Sequence, residues 1–283
     1  MAICYLQPLN LKTYPASSGL GGGYDSTSYD PNNGFLPKNK EFPGTAFKGA
    51  GFYILGSGGD QSKYKCSISS GASNVVKLST VSGKSGQNCY VEYTSTQPSS
   101  DITIDLSYER EPNVYEKIDS YTFKKPSKWM TVQGPKPYFA STKVNPNEQS
   151  VYPAANVCAG NAATATMTYA KSLTYFYSTQ DISNIPLASD GSVTISGNAR
   201  FTRTLDKTFM GVWEDLYNGY PNSDFYNRTA SDGNGNTYKT DTLLVGPARN
   251  VNPISEQFVV GLDVGLTGWQ QRSNLFACKE TVY

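Results

Sequence analysis

Histidine is absent from the 283 residues of this chain, and its absence limits the chemistry that the chain can perform. Without an imidazole there is no Ser-His-Asp or Cys-His pair and no histidine-ligated zinc or haem. Catalysis would then depend on paired carboxylates, which glycoside hydrolysis needs about 5 to 10 Å apart. The candidate pairs are Glu109 with Glu111, and Glu214 with Asp215. The first pair lies at an exposed strand end and the second on the polar side of a predicted helix, so we expect no catalytic residues and no enzyme.

Oxygen-bearing side chains alternate along Asp232-Gly233-Asn234-Gly235-Asn236, as they do in the first half of a calcium loop. Position twelve of such a loop would be Leu243, which offers no ligand atom. The same Asp-Gly and Asn-Gly pairs form tight turns, so the segment favours a hairpin over a metal site. The glycine runs at 21–23 and 56–59 precede neither a Lys-Ser/Thr pair nor a helical pattern, and therefore indicate turns. We expect no metal and no cofactor.

Five cysteines occur, and none belongs to a CxxC pair. Cys66 and Cys89 each open an alternating segment, which predicts a disulfide between them across neighbouring strands. A second disulfide, between Cys158 and Cys278, would tie the last strand of the second half to its first and stabilise the fold by roughly a few kcal/mol. Cys4 is left over, either free or paired with another chain. Buried free thiols are the alternative, but disulfides suit this Tyr-, Ser- and Thr-rich composition and an oxidising compartment.

Tyrosine is unusually frequent, with 21 residues, and many of them lie beside Asn, Asp or Gly. A tyrosine ring packs against the apolar face of a sugar while neighbouring amides bind the sugar's hydroxyl groups. This combination of residues is typical of recognition surfaces. Strand formation explains the tyrosines equally well. The residues that we predict to bind a ligand are Tyr217, Tyr220, Asn222, Asp224, Tyr226 and Asn227.

The 24 basic and 23 acidic side chains give a net charge of +1, which argues against a nucleic-acid partner. No run of about 18 apolar residues occurs, so no membrane-spanning helix is expected. The opening residues 1–4 lack the charged and apolar regions of a signal peptide. We therefore expect a mature form whose signal has been removed, a protein of the cytosol or a virion, or a chain with a lipid-modified Cys4.

Short strand-forming runs separated by turn residues begin near residue 49 and predict an all-β fold. Ile102 to Tyr108 alternates strictly, and the turns between runs are spaced as in a β-sandwich. The other predicted strands here are 52–55, 64–68, 75–78 and 89–94. This first β-sandwich-like domain is placed at 49–150. Prolines shortly before residue 150 mark an irregular connection at its end.

A second β-rich domain is expected at 151–283. Its runs 163–178 and 192–205 alternate Thr or Ser with mostly apolar residues, which predicts one long hairpin. Closing strands are expected near 241–245, 257–264 and 275–278. One short helix is predicted from the spacing of Phe209, Val212, Trp213, Leu216 and Tyr217, with Gly219 at its end.

Glycine and proline are dense in residues 1–48, which predicts few regular hydrogen-bond ladders. We predict an extended N-terminal arm whose aromatic side chains dock onto this chain's own domains or into a partner. The aromatic residues assigned to partner binding are Tyr5, Tyr14, Tyr24, Tyr29 and Phe35.

Three functions fit these patterns. The first is a secreted or surface-exposed recognition protein, an adhesin or receptor-binding protein, which binds a glycan or protein through its Tyr/Asn-rich loops and docks through its arm. The second is a viral capsid, spike or decoration protein whose arm assembles with other chains. The third is a β-pore-forming toxin that inserts the hairpin 163–205, because such alternation suits a membrane barrel.

Overall fold

The computed structural model describes residues 2–9, 27, 29–39, 42–79, 88–126, 128–133, 212–213, 215–231, 237–239, 242–251, 254–261, 267–270 and 276–281. These residues form mostly antiparallel β-sheets, so the prediction of an all-β fold is confirmed. A short α-helix, α1, spans Leu216–Gly219. No helix in this part of the chain is long and apolar enough to cross a membrane.

Sheet 1 has six strands in the order β2-β3-β1-β5-β8-β7. Their bounds are β1 (Ile3–Pro8), β2 (Tyr29–Asp30), β3 (Gly34–Phe35), β5 (Gly51–Gly56), β7 (Val76–Ser79) and β8 (Tyr90–Tyr93). Every residue of β5 is buried, because both faces of the sheet are covered at this strand. Phe52 and Ile54 belong to the main core, whereas Tyr53 and Leu55 form a smaller cluster with Tyr90 on the other face.

Gly51 is required at the point where β5 passes β8. It pairs with Glu92, and a Cβ atom at Gly51 would overlap the hydroxyl of Tyr90. The Tyr90 ring therefore occupies the space that the missing side chain leaves, which brings this tyrosine down onto the sheet.

Sheet 2 has three antiparallel strands in the order β10-β9-β6. They are β6 (Tyr64–Ser70), β9 (Ile102–Glu111) and β10 (Val114–Phe123). The predicted alternation of β9 is confirmed, because Ile102, Ile104 and Leu106 are buried and the residues between them are not. These three side chains share one core with Phe52 and Val91 of sheet 1, so the two sheets pack over a common interior.

The predicted disulfide between Cys66 and Cys89 is confirmed, but its position differs from the prediction. Cys66 lies on β6 of sheet 2, whereas Cys89 directly precedes β8 of sheet 1. The bond therefore joins two sheets instead of neighbouring strands, with a Cα–Cα distance of 5.3 Å. Cys4 is a free cysteine and is partly buried, and Cys158 lies outside the described residues.

Sheet 3 has six strands in the order β16-β15-β14-β17-β11-β4. They are β4 (Thr45–Phe47), β11 (Lys128–Gln133), β14 (Thr242–Val251), β15 (Ile254–Gly261), β16 (Thr267–Gln270) and β17 (Phe276–Thr281). β14, β15 and β17 confirm the three predicted closing strands. The remaining strands, β12 (Thr229–Ser231) and β13 (Thr237–Lys239), form the antiparallel hairpin that was favoured over a calcium loop.

The predicted boundary near residue 150 falls in a range that the structure does not describe, as does the hairpin 163–205. The segments that come before and after that range in the sequence are hydrogen-bonded to each other. β11 is parallel to β4 on one edge and antiparallel to β17 on the other. A division into two domains therefore remains a prediction, and sheet 3 contains strands from both.

The prediction of an extended arm without regular ladders is wrong for its described residues. β1 lies inside sheet 1, between β3 and β5, and pairs with five residues of β5 from Ile3↔Gly56 to Pro8↔Phe52. Tyr29 and Phe35 are fully buried, with their ring centroids 4.9 Å apart. The density of Gly and Pro reflects tight turns between short strands, such as that at Gly34, whose φ of 100° favours glycine.

Candidate functional site

The predicted ligand-binding residues lie on α1 and on the loop that follows it. Asp215 caps the helix, because its carboxylate accepts a hydrogen bond of 2.9 Å from the backbone N–H of Asn218. This carboxylate is buried and therefore has a structural role. The predicted short helix is confirmed over Leu216–Gly219, while Phe209 and Glu214 lie outside the described residues.

Three aromatic side chains anchor the loop to the hydrophobic core. The Phe47 ring meets the rings of all three, Trp213, Tyr220 and Phe225, edge to face, with centroids 5.3 to 5.4 Å apart. The rings of Trp213 and Tyr220 also meet edge to face, with centroids 5.8 Å apart. Trp213 also donates its indole N–H to the carbonyl of Thr45, at 3.0 Å. Edge-to-face pairs of this kind add about 0.5–1.5 kcal/mol each beyond their buried area.

The prediction that Tyr220 binds a ligand is wrong. Its side chain is fully buried, and its hydroxyl donates a hydrogen bond of 2.6 Å to the carbonyl of Trp213. The ring thus belongs to the hydrophobic anchor of the loop. Tyr29 and Phe35 of the predicted arm are likewise core residues and cannot contact a partner, whereas Tyr5 is partly buried and Tyr14 and Tyr24 lie outside the described residues.

A buried carboxylate fixes the middle of the loop. Glu92, on β8, is only 4% exposed. Its carboxylate accepts hydrogen bonds from the Tyr90 hydroxyl at 2.9 Å and from the Asn222 side-chain amide at 3.0 and 3.1 Å. The Lys77 ammonium lies 2.7 Å from the same carboxylate and balances its charge. Because a buried charge is tolerated only when it is paired and hydrogen-bonded, this arrangement holds Asn222 in one position.

Burial raises the pKa of Tyr90, and the adjacent Glu92 carboxylate raises it further. The phenol therefore stays protonated and remains a hydrogen-bond donor to Glu92 over the physiological range.

Two further contacts hold the loop at Asp224 and Asn222. The Lys48 ammonium lies 3.0 Å from the Asp224 carboxylate, and both side chains are about half exposed. Beside it, Gly49 has a φ of 83°, and a Cβ atom there would lie 2.6 Å from the backbone of Asn222. The loop therefore rests directly on a glycine that no other residue could replace without strain.

The far end of the loop turns back onto the helix. The backbone N–H of Asn227 donates to the carbonyl of Tyr217 at 2.9 Å, and the Tyr217 hydroxyl donates to the Asn227 side-chain oxygen at 3.3 Å. Asn227 has a φ of 45°, a conformation that asparagine tolerates better than most residues. Tyr226, between these contacts, is 41% exposed.

The loop thus presents five of the six predicted residues on one short, well-anchored segment. We call this segment the 217–227 surface; its members are Tyr217, Asn222, Asp224, Tyr226 and Asn227. It offers two tyrosine rings, two amides and a carboxylate, which can pack against a ring and accept or donate hydrogen bonds.

The other candidate groups have structural surroundings. Glu109 accepts a hydrogen bond of 2.7 Å from the backbone N–H of Asn113 at the turn between β9 and β10, and Glu111 is exposed nearby. Within the described residues no group of three or more His, Cys, Asp or Glu side chains could hold a metal ion. Loop residues 232–236 lie outside them.

Comparison with known proteins gives little. No protein-family model matches this chain, and no curated protein is similar to it in sequence. Among solved structures, the chain is similar to the crystal structure of invasin, a bacterial integrin-binding protein, with 18% identity and a TM-score of 0.45. The match covers 88% of this chain and 37% of that protein, so the chain spans little more than a third of its length. A likeness at this level carries no inference about function.

Proposed function

We propose that this chain is a non-enzymatic recognition protein of the adhesin or receptor-binding type, which binds a glycan or protein partner through the 217–227 surface. The observation that carries the proposal is a polar, tyrosine-bearing loop held rigidly by buried groups. Trp213, Tyr220 and Phe225 fix it from the core, and Glu92 fixes Asn222. A loop that is ordered before binding loses little conformational entropy when its partner arrives.

The chemistry of the surface supports recognition. Tyr226 provides a large ring with few rotatable bonds, and Asn227 and Asp224 provide adaptable hydrogen-bonding groups beside it. Tyrosine flanked by Asn and Ser is the usual composition of protein surfaces that bind varied partners. An extracellular or cell-surface location is part of the proposal, and it is supported by the disulfide between Cys66 and Cys89.

Binding of the full chain to a glycan array and to cultured cells tests the proposal, with Tyr226→Ala as the main variant. If Tyr226 is a central contact, its truncation costs about 2 kcal/mol, so we expect a roughly thirtyfold loss of affinity. Because the side chain is 41% exposed, the variant should unfold at the same temperature as the wild type.

Val114→Ala is the matched control. Val114 is 54% exposed at the turn between β9 and β10, so this variant also removes an exposed apolar side chain. It should bind as the wild type does. Unchanged binding by Tyr226→Ala, or an equal loss in both variants, would contradict the assignment of the 217–227 surface.

A further inference from the structure

Three polar side chains from separate elements meet at the edge of sheet 1. Lys77 on β7 lies directly opposite Glu92 on β8, and its ammonium is 2.7 Å from Oε1 of the Glu92 carboxylate. The side-chain amide nitrogen of Asn222 lies 3.1 Å from the same oxygen and 3.0 Å from Oε2. One carboxylate oxygen therefore contacts both an amine nitrogen and a carboxamide nitrogen.

The surroundings hold these groups in place. β7 and β8 pair along the whole of β7, and the Tyr90 hydroxyl donates to Oε2 of Glu92 at 2.9 Å. On the other side, the backbone of Asn222 rests against Gly49, where a Cβ atom would lie 2.6 Å from it. Well-oriented groups within one molecule react as if their concentration were about 10⁵ to 10⁸ M, so a reaction that is slow between separate molecules becomes feasible here.

Two other lysine ion pairs lack the third group. The Lys117 ammonium lies 2.9 Å from the Asp105 carboxylate, which also accepts a hydrogen bond of 2.7 Å from the Ser120 hydroxyl. The Lys48 ammonium lies 3.0 Å from the Asp224 carboxylate. Among the described residues, no side-chain amide contacts either of these carboxylates. The combination of amine, carboxylate and carboxamide therefore distinguishes the edge of sheet 1 from both.

We infer that Lys77 and Asn222 form an intramolecular amide crosslink, for which Glu92 carries the protons. A group that catalyses by acid and base must contact the atom that loses a proton and the atom that gains one, and the Glu92 carboxylate contacts both nitrogens. The bond joins β7 covalently to the 217–227 surface. The inference goes beyond the proposed function, because the crosslink forms within the isolated chain and needs no partner.

The reaction exchanges one amide for another. Glu92 takes a proton from the Lys77 ammonium, and the neutral Nζ attacks Cγ of Asn222. Glu92 then transfers protons from Nζ to Nδ2, the Cγ–Nδ2 bond breaks, and Nδ2 leaves as ammonium. Nζ loses two protons and Nδ2 gains two, so the reaction balances without an oxidant or a second reactant. Because Asn222 is exposed, the ammonium has a path to solvent.

Intact-mass spectrometry of the reduced full chain, after incubation at neutral pH, tests this inference. The wild-type chain should be lighter than its sequence by one ammonia molecule, and peptide mapping should recover the peptides that contain Lys77 and Asn222 as one branched species. Lys77→Arg keeps a cation beside Glu92 but removes the primary amine, so this variant should have its full mass. Glu92→Gln keeps the size of the side chain but accepts no proton, and it should also have its full mass.

Two controls accompany these variants. Lys117→Arg makes the same change in another ion pair and should still lose ammonia. Succinimide formation at an Asn-Gly pair such as Asn33-Gly34 also releases ammonia, but it leaves the peptides of Lys77 and Asn222 separate. Near-ultraviolet circular dichroism checks that each variant folds, and Lys77→Arg, which keeps the ion pair, decides the matter if Glu92→Gln does not fold. A wild-type chain of full mass, separate peptides, or the same loss of mass in Lys77→Arg would overturn the inference.

Discussion

Two tyrosines of the main core differ in what their hydroxyl groups contact. The Tyr121 hydroxyl donates a hydrogen bond of 2.9 Å to the carbonyl of Phe42. The Tyr93 hydroxyl is buried and has no hydrogen-bond partner in the described part of the chain. A buried polar group without a partner costs about 1–3 kcal/mol, whereas a satisfied hydrogen bond contributes about 1 kcal/mol.

The first prediction follows from this difference. Tyr93→Phe should raise the free energy of unfolding by about 1 kcal/mol, because it removes an unsatisfied hydroxyl and keeps the ring. Tyr121→Phe should lower it by a similar amount. Urea unfolding of both variants checks the pair, and a change of the same sign in both would contradict it.

The sequence predicted which tyrosines lie in loops, but it could not predict which of them are buried. Tyr220 and Tyr226 lie in one loop with similar neighbours, yet the first is buried and the second is exposed. The difference depends on Phe47, which is distant in sequence and packs on Tyr220. Glu92 was missed for the same reason, because its partner Asn222 comes from a segment 130 residues away. The only sequence signal for the role of Glu92 is that it is a single acidic residue within the strand segment Tyr90–Tyr93.

At the scale of elements, short strand-forming runs between turn signals were the reliable signal, and the strict alternation of β9 was the clearest of them. These runs predicted β5, β6, β7, β8 and β9 because each buries one or both faces in a core. They missed β10, whose exposed first half carries Glu116 and Lys117 on successive positions. This edge strand is defined by its pairing with β9, which includes irregular register, and by no pattern of its own. Charged residues on an edge strand are a common protection against pairing with other chains.

The disulfide gives the second prediction. Cys66 and Cys89 close a loop of modest length between sheets 1 and 2, and such a crosslink is worth about 3 kcal/mol in the chain-entropy model. The double variant Cys66→Ala/Cys89→Ala should therefore lose roughly that much stability in urea unfolding. Cys4→Ala is the control, since Cys4 is a free cysteine and should contribute little. A double variant as stable as the wild type would contradict the assigned role.

At the scale of the whole molecule, the first residues of the chain are part of sheet 1. β1 is flanked on both sides, and Leu6 is fully buried. The sequence did not predict this, because the segment Ile3–Pro8 shows no alternation and is followed by many Gly and Pro residues. The position of β1 depends on its pairing with β5, which lies next to β1 only in the folded chain.

The third prediction is that removal of residues 1–9 abolishes folding. The truncation would leave one edge of β5 open and expose Phe52 and Ile54 of the main core. We expect loss of the cooperative unfolding transition and of near-ultraviolet circular dichroism. Removal of Met1 alone is the control and should have no effect. A truncated chain that still unfolds cooperatively would show that β1 is dispensable.

The position of β11 has a consequence for biosynthesis. One neighbour of this strand, β4, leaves the ribosome early, whereas the other, β17, pairs Thr281 with Lys128 and is translated much later. Until then the nascent polypeptide carries β11 with an open edge, which is where misassembly begins in slowly folding β proteins. Chaperones or proteases that recognise such an edge would therefore distinguish chains that carry β17 from products terminated before it.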